Sequence, residues 1–417
     1  VRGGALVCTI AFGTSAHADP LVLTANALAT TAAPAGLVTV SAITAPADHV
    51  SVEAVVWTGG GGNLTGELPG DVLVMVIRAR TESGIASGQL GRFVASLGAL
   101  RPIQIDGSAG RVVLPHRFVA EAYAGVPVLR DRSVSRAWDW VVGTRASRMI
   151  GDAGSVGIAY LQQREDGRLA SEEVGVDGGT AIGKRDDVGA KLAYDLANPG
   201  LAEATLSASH RRGALRTELF ATYRAASHLL PATSLFSVLG DVPSELIGTT
   251  ATWRAAPRLD VIASVAIRHA DGSPIDGPAV APALALPMTI ATPSATPVAG
   301  STAPEGFVRA KLRLDDRGTS MLGAELRRDG VGDAGWTGAR GSARIALPAA
   351  LTASTEVELV IPDHDRGLGR VWPWALAALG WTGGPWQAAL ALEASASPSD
   401  RRRVDALVQL GRTWGSR

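Results

Sequence analysis

Residues 201–223 hold two runs of alternation joined by Arg211, Arg212, Gly213 and Ala214. In the first, Ala202, Ala204, Leu206 and Ala208 fall on one side and Glu203, Thr205, Ser207 and Ser209 on the other, the period-2 signature of a strand. In the second, Leu215, Thr217, Leu219, Ala221 and Tyr223 oppose Arg216, Glu218, Thr222 and Arg224, with only Phe220 out of place. The pair reads as a β-hairpin with one greasy and one wet face. The same hairpin recurs down the chain, giving about 22 strands (roughly 18 at the fewest) spaced about 18 residues apart. Many have the roughly 9–11 residues that a tilted membrane-crossing strand needs.

An alternating hairpin also suits a soluble sandwich, so connections and composition have to decide. Four longer connections, at residues 58–70, 227–245, 271–305 and 363–370, share one side if the strands run up and down, and the short turns share the other. With an even strand number both termini are then expected on the short-turn side, as bacterial outer-membrane barrels require. So wide a sheet must curl, split or close. In lipid it has to close, because an unpaired backbone N–H or C=O there costs several kcal/mol. All ten tryptophans (Trp57, Trp138, Trp140, Trp253, Trp336, Trp372, Trp374, Trp381, Trp386 and Trp414) fall at or near strand ends, where membrane barrels carry aromatic girdles. Aromatic residues make up only 5% of the chain, which leaves little to fill a large soluble β core. The expected fold is all-β: one large antiparallel up-and-down transmembrane β-barrel with short periplasmic turns and longer extracellular loops.

Apolar residues reach 46%, but much of this is Ala and Val, and no uncharged run approaches a membrane helix. Lys plus Arg balance Asp plus Glu at 39 each, so no net charge draws the chain to nucleic acid. Residues 1–18 read as a cleaved secretory signal peptide, with Arg2, an apolar stretch from Ala5 to Phe12, and Ala16-His17-Ala18 as the cleavage site. Val1 stands where Met is expected, which reads as a truncation or an alternative initiator. The barrel is assigned residues 19–417. The single cysteine, Cys8, lies in the leader, so no disulfide is expected in the mature chain.

Taken together, the leader, the alternating strands, the asymmetric connections and a final strand with Val404, Ala406, Val408, Leu410 and Trp414 on one face resemble the porin-like outer-membrane β-barrels of Gram-negative bacteria. Gly91-Arg92 followed by Asp106-Gly107 is similar to the substrate-specific porins of the alginate-export type. The resemblance implies outer-membrane localisation, lipid and lipopolysaccharide around the barrel, and insertion by the barrel-assembly machinery through the terminal strand. Gly415-Ser416-Arg417 after the last aromatic and Arg412 on the apolar face depart from that terminal signal. The pattern leaves room for a homo-oligomer, from monomer to trimer.

If the apolar face meets lipid, the other lines a lumen. The expected pore-lining residues are Arg216, Glu218, Arg254, Arg268, Arg309, Lys311, Arg313, Glu325, Arg327, Arg340, Arg344, Glu356 and Glu358. Arg309, Lys311 and Arg313 form a basic ladder on one strand, which either guides anionic solutes or is braced by cross-strand carboxylates. Residues 227–245, with Leu229, Leu230, Leu235, Phe236, Val238 and Leu239, are apolar enough to fold into the lumen as a constriction or plug, and residues 271–305 are the second candidate. No catalytic or cofactor-binding set stands out. His210, His228 and His269 have serines nearby but no G-x-S-x-G accompanies them, Asp363-His364-Asp365 reads as a solvated turn, and Gly59–Gly62 lacks the Lys-Ser/Thr of a phosphate loop. The expected function is a porin-like channel for passive or substrate-selective diffusion of small solutes. A plugged barrel acting as surface scaffold, adhesin or export-machinery partner is the alternative, and a soluble exported sandwich the third reading.

Overall fold

The computed structural model describes residues 21–30, 34–43, 49–61, 70–128, 138–225, 244–270, 301–330, 335–363, 370–396 and 403–414. The leader and most of the two long connections therefore lie outside the described residues. Twenty-two strands follow in order. The first five are β1 (Leu21–Thr30), β2 (Pro34–Ile43), β3 (Val50–Gly61), β4 (Gly70–Arg80) and β5 (Ala86–Ala95). Next come β6 (Ile103–Leu114), β7 (Phe118–Pro127), β8 (Trp140–Ile150), β9 (Gly154–Glu165), β10 (Arg168–Ile182) and β11 (Asp186–Asp195). The hairpin of residues 201–223 is β12 (Gly200–Arg212) and β13 (Leu215–Arg224), followed by β14 (Ser244–Ala256), β15 (Leu259–Ala270), β16 (Ser301–Arg313) and β17 (Met321–Asp329). The last are β18 (Trp336–Leu347), β19 (Leu351–Pro362), β20 (Trp372–Gly383), β21 (Trp386–Ser395) and β22 (Arg403–Trp414).

Each strand pairs antiparallel with its neighbours in the chain, and β1 pairs antiparallel with β22 from Leu21↔Trp414 to Thr30↔Asp405. That last ladder closes the sheet into a ring and removes both edges. It rules out the sandwich, which needs two separate sheets. Connections from even to odd strands are two to seven residues long, whereas those from odd to even strands run up to thirty. Tight turns at the short end use left-handed glycines, such as Gly213 (φ 61°) between β12 and β13 and Gly384 (φ 55°) between β20 and β21.

Register carries one consistent pair of faces around the wall. The outer face is apolar and open: Leu219 and Ile247 are each 63% exposed, and Met75, Ile158, Leu206, Val265, Leu326 and Leu392 are exposed beside them. Such a surface is stable only against lipid or a partner. Several strands run past the apolar band. β16 begins at Ser301, so the second long connection ends at residue 300 and not at 305, and β14 begins at Ser244. Backbone pairing continues beyond the apolar side chains because a ladder needs hydrogen-bond partners, not grease.

The tryptophans divide. Trp140, Trp253, Trp381 and Trp386 are outward and exposed near strand ends, and Arg412 lies 4.7 Å over the Trp386 ring. Trp336 and Trp372 face inward and are buried with Val360, so they build a small internal cluster and no girdle. Trp374 is inward too, its indole N–H donating to Glu393 at 2.8 Å.

Candidate functional site: the inner wall and the segment folded onto it

The connection between β5 and β6, residues 96–102, folds against the inner face of the wall. Leu97, Ala99, Leu100 and Arg101 are all buried there, packing with Val76, Phe93, Ile105, Tyr123, Val141, Ala159 and Leu161. The turn is closed by the Leu100 N–H donating to the Leu97 carbonyl (3.0 Å), with Gly98 left-handed at φ 59°. The wall is cut back to receive it. Gly175 faces Leu100 and Ala99, which lie 3.1 and 3.2 Å from where a Cβ would stand, and the Tyr123 ring fills the space over Gly143. Small residues at the pleat's inner positions therefore form a recess that larger ones would fill.

Two ionic contacts fix the segment. Arg101 Nε lies 3.1 Å from Glu173, whose side chain is 1% exposed. At the tip, a Cβ on Gly98 would collide with the Asp177 carboxylate and crowd Arg145. Arg145 is itself the hub of a cluster, contacting Glu121 at 2.7 Å, Asp177 at 2.6 and 3.0 Å and Ser147 at 3.3 Å. An apolar plug thus rests on a charged shelf partway along β8 and β10.

All thirteen charged residues expected in the lumen share this inner face by register: Arg216 and Glu218 on β13, Arg254 on β14, Arg268 on β15, Arg309, Lys311 and Arg313 on β16, Glu325 and Arg327 on β17, Arg340 and Arg344 on β18, Glu356 and Glu358 on β19. Most are joined in cross-strand pairs. Arg309 pairs with Glu325, Arg327 with Glu358 and Arg340 with Glu356. Arg268 meets Glu305 at 2.9 Å, Arg254 and Arg313 converge on Asp260 at 3.5 and 3.4 Å, and Arg216 lies 3.5 Å from Glu218. The β16 cations are therefore largely braced. Lys311 and Arg344, with Lys191 on β11, carry no ion pair among the described residues.

Other sequence candidates disperse. His210 pairs with Asp186 (2.6 Å) on the outer face while Ser209 bonds Asp187 (3.1 Å) on the inner one, and His269 meets Thr302 (2.7 Å). Asp363 is gripped by both terminal nitrogens of Arg328 at 2.5 Å, while His364, Asp365 and His228 lie outside the described residues. No group of three or more His, Cys, Asp or Glu positioned for a metal occurs among the described residues. The proposed plug segment 227–245 lies outside them except for Ser244 and Glu245. Arg92 and Asp106, from the Gly91-Arg92 and Asp106-Gly107 dipeptides, form a bidentate ion pair with both contacts at 2.7 Å.

No family model matches the chain, and no curated protein matches it. Solved structures do. The translocation pore of the P pilus usher PapC aligns over 95% of this chain and 99% of its own, at 8% identity and a TM-score of 0.51. The siderophore receptor PirA from Pseudomonas aeruginosa aligns over 96% of this chain and 82% of its own, at 9% identity and a TM-score of 0.51. A looser likeness, with a TM-score of 0.40 at 9% identity, extends to Pseudomonas aeruginosa OccK5 (OpdH) over 96% of this chain and 99% of that one. At such identities the likeness is one of fold. The chain has the fold of the large outer-membrane β-barrels.

Proposed function

We propose that the protein is a bacterial outer-membrane channel for diffusion of small polar solutes, narrowed by residues 96–102. The observation that carries this reading is an inward-folded segment seated on a charged inner wall inside a closed ring of 22 strands. A barrel of this strand number is wide enough for a water-filled lumen or a plugged one. Seven residues packed on one side of it constrict the lumen without the mass of a plug domain. Because most lumen charges are paired, strong ion selectivity is not expected. Lys191, Lys311 and Arg344 supply a modest anion preference. Lipid and lipopolysaccharide then cover the outer face, and the terminal strand is the element the assembly machinery handles.

Reconstituting the refolded protein in liposomes loaded with an impermeant polymer tests this. Swelling in small sugars and amino acids that falls off with solute size supports the channel. Liposomes that do not swell, although the protein is folded and inserted, would move the reading to the closed scaffold.

A further inference from the structure

The wall has a defect between β4 and β5. Their ladder covers six pairs, from Met75↔Arg92 to Arg80↔Ser87, while every other neighbouring pair has eight or more. Both strands continue past its end, β4 back to Gly70 and β5 on to Ala95, without pairing to each other. The split starts at Gly91 (φ 128°), where a Cβ would collide with the Met75 carbonyl. At about 3.3 Å per residue, the stretch of β4 from Gly70 to Val74, which pairs with β3 and not with β5, is about 15 Å long, at the end of the barrel that carries the long connections.

Side chains stand in for the missing ladder. Arg92 Nη1 donates to the Val72 carbonyl (2.9 Å) and Gln104 Nε2 to the Leu73 carbonyl (2.7 Å). Arg92 is held by Asp106 and by Asp71 Oδ1 (3.1 Å). Register places Arg92 opposite the exposed Met75, Asp106 opposite the exposed Val126 and Gln104 opposite the exposed Val94, so this polar patch lies on the outer face. Directly behind it, inward, sit Val74, Val76, Phe93 and Ile105 with Leu97 and Leu100 of the inward segment. A charged patch thus faces out and an apolar cluster faces in at this one place, while Met75, Ile77, Leu90 and Val94 keep the rest of the outer face apolar, as Leu219, Ile247 and Leu326 do from β13 to β17.

We propose that the β4–β5 seam is a lateral port through which an acyl chain of a membrane amphiphile reaches the apolar cluster behind it, its head group held at the Arg92 patch. A seam whose backbone is capped by the side chains of Asp71, Arg92 and Gln104 opens by rotamer changes, where a paired ladder would have to break backbone hydrogen bonds in lipid. The interior it opens onto is apolar, which an aqueous path alone does not require. The proposal rests on the membrane placement given above.

The experiment attaches a fluorophore to a single cysteine in a Cys8→Ala background, in vesicles of phosphatidylcholine with and without a nitroxide on the acyl chain. Three sites are compared: Ile103→Cys behind the seam, Thr222→Cys on the far inner wall, and Leu219→Cys on the outer face. Quenching at 219 establishes that the protein spans the bilayer, and its absence would sink the membrane placement itself. With 219 quenched, quenching at 103 severalfold above that at 222 supports the port. Replacing Gln104→Leu, which leaves the Arg92 ion pairs in place, should raise it further. Quenching at 103 no greater than at 222, in both backgrounds, would overturn it.

Discussion

Two alanines carry backbone strain that the fold tolerates. Ala349 and Ala350, in the turn between β18 and β19, are both left-handed at φ 58°, a conformation that costs about 1–2 kcal/mol per non-glycine residue. Replacing them with Asn and Gly should raise unfolding stability by about 1 kcal/mol, read as a later midpoint in urea titrations of protein in lipid vesicles. The opposite sign is expected at Glu358, which is 1% exposed and paired with Arg327, itself stacked 4.7 Å over Trp336. Glu358→Ala leaves a half-buried guanidinium without its carboxylate and should cost about 3 kcal/mol in the same titration. Faces at this scale were legible in the sequence, since alternation alone puts Arg309, Glu325 and Arg340 together. Their pairing was not, because a one-dimensional pattern does not say which strand lies across from which, and register turns a basic ladder into a set of bridges.

Turns and connections divide by how local their chemistry is. Asp315, in the turn between β16 and β17, accepts from the Thr319 hydroxyl (2.8 Å) and from the Thr319 and Ser320 N–H groups (2.9 and 2.6 Å). These donors hold its carboxyl well below the usual carboxylate range. A lowered native value means the cap's contribution is complete above the unfolded carboxyl's range and disappears only as pH falls through the native one. Amide exchange at Ser320 should therefore stay slow through mild acid and accelerate only in strong acid, whereas Asp315→Ala should lose that protection at every pH. Turns of this kind announce themselves in sequence, as Asp315-Asp316-Arg317-Gly318 does. The segment 96–102 did not, because Leu97 and Leu100 in a short connection look like an ordinary loop, and what draws them inward is a recess made by Gly143, Ala159 and Gly175 on strands far along the chain. The available signal was two leucines in a seven-residue connection with an arginine beside them. Apolar content in a connection points to residues 227–245 and 271–305 as inward segments, and most of both lies outside the described residues.

Closure is the property on which the whole molecule depends, and β1 with β22 provides it. Asn26 and Gln409 are register partners across that ladder, and antiparallel partners lie within about 4.5–5.5 Å at their Cα atoms, close enough for a disulfide. In a Cys8→Ala background, Asn26→Cys with Gln409→Cys should oxidise spontaneously and leave a band that migrates as compact after heating without reductant. Failure to crosslink in folded protein would mean the ring is open. Strand count, connection asymmetry and closure were all readable from the sequence, because lipid imposes them on any sheet that crosses it. The charged outer patch at the end of the β4–β5 ladder was not, since Arg92 on β5 and Asp106 on β6 interrupt an otherwise apolar outer face and the reason lies in three dimensions.

Conduction through a lumen narrowed by residues 96–102, as proposed above, can be read by single-channel recording in planar bilayers. Wild type should be compared with Gly98→Val, whose side chain would collide with the Asp177 carboxylate and push the segment off its shelf. Wild type should give stable unitary steps, with a modest anion preference under a salt gradient, and Gly98→Val should give larger ones. Folded, inserted wild-type protein that passes no current would exclude a channel, and Gly98→Val steps identical in size to those of wild type would exclude residues 96–102 as its constriction.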